Sequence, residues 1–65
     1  MSEQLAEALN TRVVIEQAKG VVAERRKVEV GEAFERLRAH ARNNNLLLSV
    51  VAREVVDGRL VTDEL

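Results

Sequence analysis

Three stretches of this chain carry apolar residues at helical spacing, with a short break between each and the next. At about 100° per residue, Val14, Ile15, Ala18, Val21 and Val22 form one stripe. Ala33, Phe34, Leu37 and Ala41 form a second, and Leu48, Val51, Ala52 and Val55 a third. A helix with one apolar stripe must bury it against another element, and three such helices can bury one another. The pattern predicts an all-α fold. It is a three-helix bundle with a long first helix, whose N-terminal half is offered to a second chain.

Local signals set the expected boundaries. The first helix is expected from about Ser2, a capping residue followed by Glu3, to Arg26. The run Lys27-Val28-Glu29-Val30-Gly31 breaks it. The second helix is expected from about Gly31 to Asn43. The triplet Asn43-Asn44-Asn45 stops it, because asparagine tolerates the left-handed backbone of a helix end. The third is expected from Ser49, as its N-cap, to Asp57, with Gly58 as the stop. Residues 1–58 are then the domain, and residues 59–65 a frayed C-terminal tail.

Composition excludes whole classes of function. The chain has no cysteine and one histidine, His40, so disulfides and thiolate or histidine metal centres are ruled out. No nucleophile–base set and no phosphate-cradling glycine loop is present, so we expect neither an enzyme nor a bound cofactor. No apolar run approaches the ~20 residues that cross a bilayer, and no signal peptide is visible. The expected location is the cytoplasm. With one phenylalanine and no tyrosine or tryptophan, the chain lacks the aromatic sheet used by many single-strand RNA binders.

The net charge is −1, but the charges are unevenly placed. Both ends are acidic. Arg12, Lys19, Arg25, Arg26, Lys27, Arg36, Arg38 and Arg42 gather in the middle, and local clustering governs attraction to a polyanion. Arg12, Lys19 and Arg26 recur every seven residues, nearly two turns, and so line one side of the first helix. Gly20 and Ala23 are expected beside that row. A glycine inside a helix costs roughly 1 kcal/mol relative to alanine, so Gly20 calls for a reason in packing or in contact. Arg38 and Arg42, four apart, extend the basic surface onto the second helix. Glu16, Glu32 and Glu35 are placed to pair with some of these bases. His40 falls at the edge of its apolar stripe, as a core-boundary residue.

The first helix also carries Leu5, Ala8 and Leu9 on a different side from Ala18 and Val21. A helix arriving from a coiled coil, or pairing with a second copy, has this pattern. Leu46 and Leu47, before the third helix, offer further apolar surface.

Several of these segments together resemble the ANTAR domain, named for the AmiR and NasR transcription antitermination regulators. They are Leu9-Asn10-Thr11-Arg12-Val13-Val14-Ile15-Glu16-Gln17-Ala18-Lys19-Gly20, then Ala23-Glu24-Arg25, Glu32-Ala33-Phe34, Leu37-Arg38, Val51-Ala52 and Val55-Val56. The resemblance runs from about Leu5 to Gly58. It implies a three-helix RNA-binding module that holds hairpins with small loops in nascent transcripts and so prevents a terminator from forming. It implies a homodimer and an upstream signal-receiving domain, either fused to a longer form of the chain or absent from a stand-alone version. Family motif positions fall on Arg12, Ala18, Lys19, Gly20, Ala33, Leu37, Arg38 and Ala52. The chain departs from the family before the third helix, where Asn44-Asn45-Leu46-Leu47-Leu48 stands in a commonly basic stretch.

The expected RNA-binding residues are therefore Arg12, Lys19, Gly20, Arg26, Arg38 and Arg42, and the expected dimer or partner contacts are Leu5, Leu9, Leu46 and Leu47. The alternative is a helical dimerisation or protein-interaction module without RNA binding. A DNA-binding helix-turn-helix is poorly matched, because the third helix carries Arg53 as its one base.

Overall fold

The computed structural model describes the backbone of residues 2–65 and the side chains from Asn10 onward. Helix α1 runs Ser2–Arg26, α2 runs Val30–Asn43 and α3 runs Leu48–Val56. A 3-10 turn, η1, follows at Thr62–Glu64. The 25 residues of α1 make a rod of about 37 Å, which matches the 38 Å long axis of the molecule. Helices α2 and α3 pack along α1 and against each other.

The three predicted stripes meet in one core. Val14, Ala18, Val22, Ala33, Leu37, Ala41, Val51, Ala52 and Val55 are buried. Each helix contributes a fully buried alanine: Ala18, Ala33 and Ala52. Small residues at these positions let the helices approach closely. Leu37, Val22 and Val51 are the largest fully buried side chains among the described residues. Ile15, Val21 and Leu48 pack around the edge. Phe34, expected in the core, is only half-buried.

All three α-helices end in the same way. A residue in the left-handed region follows each helix: Lys27 at φ 57°, Asn45 at φ 59° and Gly58 at φ 80°. The next amide then bonds back five residues, from Val28 to the Ala23 carbonyl, from Leu46 to Ala41 and from Arg59 to Glu54. This is the Schellman closure, which satisfies carbonyls that the helix leaves unpaired. Asn44 reinforces the end of α2 by donating its side-chain amide to the His40 carbonyl at 2.9 Å. The asparagine triplet and Gly58 therefore stop their helices as expected.

The helix starts differ from expectation. Ser49 does not cap α3; Leu47 holds that position and makes no side-chain cap bond. Glu29 stands at the start of α2, again without a side-chain cap. Near these uncapped starts Ala33 is buried and Leu48 packs against the core. The cap expected at Ser2 lies outside the described side chains.

Residues 59–65 are not frayed. Leu60 and Leu65 pack on the core, and Thr62 is buried. The Arg36 guanidinium donates to the Leu65 carbonyl at 2.9 Å. An apolar residue at each end of the segment gives it a reason to dock, a signal that its charged residues obscure.

Two stability changes follow. Leu60→Ala is expected to lower unfolding free energy by about 1–2 kcal/mol, the cost of partly vacating a half-buried site; a frayed tail would show no change in a urea melt. Lys27→Gly should raise stability by about 0.5–1 kcal/mol, because glycine carries no penalty in the left-handed region. A fall in its midpoint would mean that the Lys27 side chain stabilises the turn.

Candidate nucleic-acid interface

The short link between α1 and α2 turns the chain back, so the two helices lie side by side in opposite directions. Their register shows in a cluster at mid-height. The Lys19 ammonium, from α1, lies 5.0 Å from the centre of the Phe34 ring on α2. The Arg38 guanidinium, one turn along α2, lies 5.8 Å from the same centre. Both distances are within the range of cation–π attraction, worth about 0.5–1 kcal/mol at partly exposed sites. One half-buried ring thus holds two cations from two helices on one face.

Carboxylates stand at the rim of this cluster. Lys19 pairs with Glu16 Oε2 at 3.2 Å, and Arg38 with Glu35 Oε2 at 3.2 Å. The Lys19 side chain is 19% exposed and that of Arg38 is 51% exposed. Lys19 is therefore held down on the ring, whereas Arg38 reaches into solvent. Exposed pairs of this kind contribute little to stability, on the order of 0.3–0.5 kcal/mol. Arg36 and Glu32, anticipated as a pair, meet at 2.8 Å.

Arg12, Arg42, Arg26 and Arg36 stand in three different settings. Arg12 lies two turns before Lys19 on the same side of α1, and Arg42 one turn after Arg38 on α2. Both are exposed, and neither forms an ion pair among the described residues. Arg26, two turns beyond Lys19, meets Asp63 of η1 at 3.5 Å. Arg36 projects toward the docked C-terminal segment, away from the ring. Half-buried His40 faces the same way, beside Ala39, Asn43, Glu64 and Leu65.

Gly20 does not join the cluster. It opens onto a shallow groove on the α3 side of α1, with Gln17, Val21, Glu24, Arg25 and Val56. The 100° step between neighbours on a helix separates it from Lys19. A Cβ added at Gly20 would meet nothing within 4 Å. The chain's own packing therefore does not require glycine here.

Leu46 and Leu47 are 42% and 71% exposed. Leu5 and Leu9 lie outside the described side chains. Val13, four residues after Leu9, is an exposed apolar residue on α1 that belongs to none of the three stripes. Phe34 belongs to the second stripe by period, and its spacing of four from Arg38 is the sequence sign of their contact.

The fold and this face define a small all-helical domain built around a cation–aromatic cluster, with no helix among the described residues long and apolar enough to cross a membrane. The ANTAR domain family model matches residues 3–56, and the chain belongs to that family. Members of the family are RNA-binding antitermination modules. No curated protein and no solved structure matches the chain.

Gly20→Ala should raise stability by up to about 1 kcal/mol, moving the thermal midpoint up by about 4–8 °C in a domain of this size. Circular dichroism melts check this. A lower midpoint would reveal a packing constraint at Gly20.

Proposed function

We propose that this chain binds RNA hairpins with exposed loops in nascent transcripts and, by holding them, keeps a terminator hairpin from forming. Lys19 and Arg38 converging on Phe34 from two helices is the observation that carries this reading. The deep groove of paired RNA is closed to side chains, so recognition falls on phosphates and on unpaired loop bases. Lys19, Arg38, Arg12 and Arg42 hold phosphates, and Arg26 extends the row along α1. Phe34 keeps two of these cations in place before RNA arrives, which lowers the ordering cost of binding.

Gly20 has a part in the same proposal. It leaves the groove on the α3 side of α1 open, so that an RNA strand crossing the basic row can also reach the helix there. Gly20→Ala is then expected to bind RNA several-fold less tightly although it melts higher. Full binding by the more stable variant would leave Gly20 without a contact role.

Lys19→Glu is expected to retain helical content and to weaken binding to a hairpin RNA by about tenfold or more near 0.1 M salt. Phe34→Leu keeps an apolar side chain but removes the ring, and a smaller loss of about three- to tenfold is expected. Gel shifts or fluorescence anisotropy across a salt series measure both. Undiminished affinity for both variants would exclude this face.

A homodimer is a second part of the reading, supported by the exposure of Val13 one turn after Leu9. Leu5, Leu9 and Val13 would then pair with the same helix of a second copy, and Leu46 and Leu47 offer further contact surface. Sedimentation of Val13→Lys should show a lower mass than the parent chain at the same concentration. Equal masses would remove Val13 from the interface.

A further inference from the structure

The C-terminal segment lies outside the residues matched by the family, yet it reaches the basic row. Its backbone is pinned on both sides of Asp63: Thr62 is buried, and Leu65 packs on the core while its carbonyl accepts from Arg36 at 2.9 Å. Between these anchors the Asp63 carboxylate stands 3.5 Å from the Arg26 guanidinium. Arg26 shares its side of α1 with Lys19 and Arg12. A carboxylate on an anchored backbone thus stands beside one end of the cationic row.

We propose that the docked segment 59–65 is an acidic strap that competes with RNA for Arg26 and attenuates binding. This rests on the RNA-binding reading above. Asp63 is 83% exposed and its pair is long, so the strap weakens binding rather than blocking it. Its neighbour Glu64 carries the same charge but faces Arg36, His40 and Asn43 on another side of α2. Attenuation therefore depends on where the charge is held, beyond the total charge.

The test compares Asp63→Asn, Glu64→Gln and Arg26→Gln, and the pair Arg26→Gln with Asp63→Asn, in the full chain. Affinity for one hairpin RNA is measured by anisotropy from about 50 to 200 mM salt, after melts confirm unchanged folding. Asp63→Asn is expected to tighten binding about two- to fivefold at the lowest salt, and to steepen the salt dependence by up to about one released counterion. Glu64→Gln should have a clearly smaller effect, and Asp63→Asn none once Arg26 is gone. Equal gains from Asp63→Asn and Glu64→Gln, or a gain that persists without Arg26, would overturn the strap and leave RNA binding intact. Failure of the parent chain and of Asp63→Asn alike to bind any hairpin RNA would instead overturn the functional reading, and the strap with it.

Discussion

Burial of Ala18, Ala33 and Leu37 decides where the side chains of the candidate site stand. All three are fully buried, and each is followed at once by a member of the cluster: Lys19, Phe34 and Arg38. Ala41, nearly as buried, is followed by Arg42. One step along a helix is about 100° of rotation. Because α1 and α2 run in opposite directions, the two rotations bring the following residues to the same side of the pair. The cation–aromatic face is therefore a geometric product of the core. A substitution that rotates either helix moves the face with it.

The same relation explains what the sequence discloses. The apolar period gives the three helices, and the nine buried core residues among those described all belong to its stripes. The ends of α2 and α3 are legible because asparagine and glycine mark left-handed positions. The starts are less legible, because neither Glu29 nor Leu47 makes a side-chain cap. The docked C-terminal segment is hidden because its anchors, Leu60, Thr62 and Leu65, follow no helical period.

The site divides along similar lines. Lys19, Arg38 and their carboxylate partners follow from spacing within single helices. Phe34 as a shared ring does not, since it depends on the register between α1 and α2. Gly20 was placed beside the basic row by proximity in sequence, whereas the helical step carries it to the α3 side. Angles within a helix follow from the 100° step, while contacts between helices depend on their relative height.

The carboxylates around Phe34 have a consequence for selectivity. Lys19 and Arg38 each have a carboxylate close by, Glu16 and Glu35 at 3.2 Å, so an incoming anion competes with a tethered negative charge for part of each cation. A solitary small anion gains little against that local competition. A polymer that delivers several phosphates at matching intervals displaces these partners together, and its later contacts form without a fresh encounter. On the RNA-binding reading proposed above, these tethered acids would favour a strand carrying several phosphates over free phosphate.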